Sequence, residues 1–132
     1  DKDSFTSQQD VLDYFEQYKQ AQSKDTYGGK TPEETLGLFV DALKKGDTTL
    51  ASKYFVVEKQ KEMEKDLDRG LKNEGIKFFL DIISNSSNKF IGKESTENNY
   101  FISVVKKENN ELIMELFFSL NELTNIWKIE SL

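Results

Sequence analysis

Thr31-Pro32-Glu33-Glu34-Thr35-Leu36-Gly37-Leu38-Phe39-Val40-Asp41-Ala42-Leu43-Lys44-Lys45-Gly46-Asp47 carries the strongest local signal in the chain. Thr31 can accept a hydrogen bond from the N3 amide, and Glu34 can reach back to the Thr31 amide. Pro32, at the first helical position, gives up no hydrogen bond. Leu36, Phe39, Val40 and Leu43 then fall on one face. Lys44 and Lys45 complement the negative end of the helix dipole, and Gly46 supplies a left-handed cap. Asp47 at once caps a second, short helix in which Leu50, Ala51, Tyr54 and Phe55 share a side, so the spacing predicts a tight helix hairpin.

Downstream, Glu58 to about Asn73 is charged, with Met63, Leu67 and Leu71 as a thin apolar stripe suited to a surface helix. Ile76, Phe79, Leu80 and Ile83 predict a last helix, and Ser84-Asn85-Ser86-Ser87-Asn88 closes the helical half. The period then changes from 3.6 to 2. Phe90-Ile91 begins a short strand, Tyr100 to Val105 is β-branched and aromatic, and Lys107-Glu108-Asn109-Asn110 reads as a hairpin turn. In the next strand Leu112, Met114, Leu116, Phe118 and Leu120 share one face, and Ile113 and Phe117 lie on the other. Ile126-Trp127-Lys128-Ile129 makes the final strand. Helices first and hairpin-connected strands afterwards predict an α+β fold, with N-terminal helices packed on one face of an antiparallel sheet.

Upstream, Tyr27-Gly28-Gly29-Lys30 reads as a linker, because two adjacent glycines are costly to order. Val11, Leu12, Phe15 and Tyr18 predict a short amphipathic helix over about 7–22, either packed on the domain or serving as a stalk. The expected division is a polar N-terminal segment, 1–27, and a domain, 28–132.

The 132 residues carry a net charge of −6 and include ten Phe, five Tyr and one Trp, enough to fill one core. There is no His and no Cys, which removes His bases, thiol nucleophiles and imidazole or thiolate metal sites. No cofactor and no metal are expected. Arg69 is the only arginine and the lysines are interleaved with acids, so nucleic acid is not an expected partner. No apolar run approaches the ~18 residues that would span a bilayer, so direct membrane insertion by this chain is not expected either. Asp66-Leu67-Asp68-Arg69-Gly70 lacks the spacing of a calcium loop. Lys30 after the glycines lacks the strand and spacing of a phosphate loop. Asn85-Ser86-Ser87 satisfies a glycosylation sequon, a frequent chance match.

The signature Gly28-Gly29-Lys30-Thr31-Pro32-Glu33-Glu34-Thr35-Leu36, Ala42-Leu43-Lys44-Lys45-Gly46-Asp47 and Leu50-Ala51-Ser52-Lys53-Tyr54-Phe55, with the closing Trp127-Lys128-Ile129, resembles the nuclear transport factor 2-like superfamily. Within it the chain is most similar to uncharacterised bacterial exported or membrane-anchored domains. The resemblance covers Gly28 to Leu132; its helix-hairpin portion is specific, and the strands match in pattern. It implies a cone in which a curved sheet wraps the helices, often with a pocket at the wide end and often a dimer across the outer sheet face. It also implies a bacterial envelope or extracytoplasmic location, anchored by a segment outside this chain, with the cytoplasm as the alternative. Function does not follow from such a fold. The expectation is a non-catalytic domain binding an apolar small molecule or a protein partner; the alternative is a cofactor-free isomerase- or dehydratase-like enzyme using a pocket carboxylate with Tyr54. Candidate pocket residues are Phe39, Tyr54, Leu116 and Phe118, and no catalytic residue is assigned. Ile113 and Phe117 are the candidate interface residues for a homodimer or another partner.

Overall fold

The computed structural model describes residues 7–132, so the first six residues of the polar N-terminal segment lie outside the described residues. Among the described residues five α-helices precede four strands: α1 (Gln8–Lys24), α2 (Pro32–Lys44), α3 (Thr48–Ser52), α4 (Gln60–Lys72), α5 (Gly75–Ser84), β1 (Asn88–Thr96), β2 (Asn99–Lys106), β3 (Leu112–Asn121) and β4 (Ile126–Ser131). A 3-10 turn at Val57–Lys59 leads into α4. The strands form one antiparallel meander in the order β1-β2-β3-β4, so the α+β architecture expected from the sequence is observed.

The start of α2 is fixed by its cap, with Thr31 Oγ1 accepting from the Glu34 amide at 3.1 Å. Glu34 reaches back one residue further than a capping box would place it, accepting from the Lys30 amide at 2.9 Å instead of the Thr31 amide. Gly29 permits this, since a Cβ there would lie 2.3 Å from the Glu34 Cβ. The glycines read as a linker therefore serve close approach: a Cβ on Gly28 would lie 2.5 Å from the Trp127 carbonyl oxygen. Gly29 donates to Thr35 Oγ1 and accepts from the Trp127 amide, each at 2.9 Å.

The inner sheet face contributes Ile102, Val104, Leu116, Phe118 and Ile129 to a single core with Leu36, Phe39, Val40 and Leu43 of α2. Phe55, Leu67 and Ile76 complete its helical side. Phe39 sits at the centre, edge-on to Phe55 at 5.4 Å and to Phe79 at 5.9 Å.

Three register shifts interrupt the ladders, one in each strand pair. The shift at Ile113 pairs Leu112 with Val105, so Leu112 leaves the inner face that simple alternation assigns to it and is exposed. β1 is also longer than Phe90-Ile91 suggests. Its Lys93–Thr96 half carries no apolar alternation and is ordered by pairing with β2.

The two sheet edges differ. Along β4, the Trp127 amide donates to Gly29 O, the Ile129 amide to Tyr54 O and the Val56 amide to Ile129 O, while Thr35 Oγ1 donates to Trp127 O. Among the described residues, β1 has no strand on its outer side.

Candidate functional site

α4 and α5 form a hairpin over the end of α2. Asn73 Oδ1 accepts from the Gly75 amide at 3.0 Å, and Glu74 turns the chain with φ 69°. Gly70 lets the two helices close, because a Cβ there would lie 3.1 Å from Ile76 Cγ1. What remains between α2, α4, α5 and the C-terminal Leu132 is an apolar cleft of about 210 Å³. Its walls are Phe39, Leu43, Met63, Leu67, Ile76 and Phe79, with Asp66 as the one ionisable side chain. Asp66 is engaged by Arg69, one helical turn along α4.

A second, more open cleft of about 490 Å³ adjoins the first and shares Leu43, Gly70 and Ile76 with it. Leu71 and Leu80 add apolar floor, and Lys44, Lys45, Lys77, Glu74 and Asp81 form its rim.

Of the four residues expected to line a pocket, Phe39 borders the apolar cleft. Tyr54, Leu116 and Phe118 join it in the same packed cluster. Phe118 also touches a separate mixed cleft with Lys59, Tyr100 and Glu130. Tyr54 packs edge-on against Tyr27 at 6.3 Å. Burial raises its phenol above the ordinary tyrosine value, with Tyr27, Asp41 and Asp47 adding to the effect, so the hydroxyl holds its proton. The nearby carboxylates, Asp41 and Asp47, are exposed. Ile113 lies half-buried at the bulge, and Phe117 is exposed on the outer face, 5.9 Å from Phe101. Lys93, Ser103 and Glu115 are the cross-strand and diagonal neighbours of these two rings on that face, with the exposed Ile91 opposite Ser103.

Sequence reasoning missed a buried ion pair on the outer side of β4. Lys128 Nζ lies 2.8 Å from Asp25 Oδ2 and also donates to the Lys53 carbonyl at 2.6 Å and to the Tyr27 carbonyl. Two carbonyls accept from the ammonium and the carboxylate lies beside it, so the group joins the end of α1, the end of α3 and β4. Burial lowers the Lys128 pKa below the usual lysine value, and the hydrogen bond and charge of Asp25 oppose that shift. Nothing in Trp127-Lys128-Ile129 signals this, since strand alternation sends the lysine to an outer face. That face is covered here by the chain leaving α1, where Asn121 Nδ2 also donates to Gln22 O at 2.9 Å.

Among the described residues no group of three or more acids is placed to hold a metal ion, and no helix is long and apolar enough to cross a membrane. Compared with protein-family models, with curated proteins and with solved structures, the chain matches none.

Proposed function

We propose that this is a non-catalytic binding domain on a nuclear transport factor 2-like cone, and that its ligand is a small apolar molecule held between α2, α4 and α5. The cone is supported by the helices-then-meander order and by the three register shifts, since bulges of this kind locally bend and twist strands. The observation that carries the binding reading is the wall of the 210 Å³ cleft, built from Phe, Leu, Met and Ile side chains. Its single side-chain carboxylate, on Asp66, is paired with Arg69, and Tyr54 is not on the wall. This favours binding over the alternative that draws on a pocket carboxylate and Tyr54. An envelope location belongs to the same proposal, and fractionation of the native protein tests it.

At about 30 Å³ for a water-sized group, the cleft accepts roughly seven carbons. Seven methylenes at ~0.8 kcal/mol each give under ~6 kcal/mol before ordering costs, hence a Kd on the order of 0.1 mM or weaker.

The chain's two methionines supply the test, because Met63 lines the cleft and Met114 lies on β3. With methyl-labelled methionine, 1-octanol should shift the Met63 resonance saturably and leave Met114 in place. A Met63 signal that stays fixed up to the solubility limit of the alcohol would sink the reading.

A further inference from the structure

Resting on that reading, we infer that the ligand is a single-chain anionic amphiphile, its tail in the apolar cleft and its headgroup at the adjoining lysine rim. The two clefts share Leu43, Gly70 and Ile76 in their walls, which places the lysine-bearing rim of the second next to the apolar part, within reach of the headgroup of a chain held there. That rim carries three ammonium groups, Lys44, Lys45 and Lys77, against two carboxylates, Glu74 and Asp81. Lys77 already lies 3.9 Å from Glu74, whereas Lys44 and Lys45 make no ion pair among the described residues. On a chain of net charge −6 this is a local reversal of sign, placed where the apolar space opens. A cationic amphiphile would gain from the overall field and lose at the rim; an anionic one does the opposite.

The experiment compares octanoate, octylammonium and 1-octanol by the Met63 methyl shift, with Met114 as the internal control. Octanoate should bind about five- to tenfold tighter than octylammonium at low ionic strength, as expected for a few exposed charge contacts. That preference should shrink with added salt, and 1-octanol should be indifferent to it. Exchanging the exposed Lys44 and Lys45 for Gln should remove the preference and leave octanol binding unchanged. Octylammonium binding as tightly as octanoate, or an octanoate preference insensitive to both salt and the lysine variants, would overturn the headgroup assignment while the octanol response keeps the cleft reading. Failure of all three chains to move Met63 would overturn both.

Discussion

Lys128 and Asp25 are a charged pair with side chains only 3% and 4% exposed. Removing two ions from water is expensive, and here the cost is offset by close contact and by two backbone carbonyls completing the ammonium's hydrogen bonds. Lys128→Met leaves Asp25 buried without its counter-ion and should cost ~3 to 5 kcal/mol in denaturant melts. Adding Asp25→Asn should recover part of that loss, and a double-mutant cycle with no coupling would show that the pair does not act as a unit. The alkaline limb of stability separates two buried groups of opposite sign. Lys128 titrates lower in the folded protein than its ordinary 10.5, so the unfolded chain binds more protons in that window and this contribution rises with pH. Tyr54 titrates above its ordinary 10.0, so its contribution is whole below that value and is lost as pH climbs through the raised one. Tyr54→Phe should therefore lose less stability than wild type above about pH 10, measured as the change in chemical midpoint. Parallel midpoint curves would show that the phenol does not titrate differently on folding. The burial of Lys128 could not be read from its neighbours, because it depends on a segment a hundred residues away in sequence crossing over it.

At the level of elements, helix ends were legible and strand details were not. Thr31, Pro32, Lys44 and Gly46 act through backbone groups within one turn, so their effect can be read locally. Bulges and edge pairing depend on the opposite strand. Thus alternation alone places Leu112 on the inner face and stops β1 early, since the exposed half of β1 has polar residues on both sides. The cleft was partly legible in the same way: Phe39 follows from helical spacing, but the gap beside Met63 depends on how closely Gly70 lets α5 approach. Gly28 and Gly29 looked like freedom and turn out to be close approach. Gly29→Ala should cost about 1 to 3 kcal/mol, because its Cβ would meet the Glu34 stem and displace the chain from the β4 edge. An unchanged unfolding midpoint would mean that this contact relaxes freely.

The whole molecule couples these elements unevenly. No residue of α1 is fully buried, yet the residues just after it hold Lys128. A chain beginning at Gly28 should keep nearly the full m-value, which follows buried surface, and still lose ~3 kcal/mol or more, because Lys128 loses Asp25 and the Tyr27 carbonyl. A full m-value with an unchanged midpoint would show that water replaces both partners at no cost. For the homodimer expected across the outer face, Phe117 is the exposed anchor, and sedimentation of Phe117→Glu should show a weaker dimer than wild type. A wild type that stays monomeric at high concentration would remove that interface. The unequal edges of the sheet set a limit on any association through strands. With β4 sealed from Trp127 to Ile129, each copy offers one open edge, and two copies joined along β1 use up both. Growth by strand addition therefore stops at a pair: among the described residues the sheet has no second open edge from which a fibril could extend.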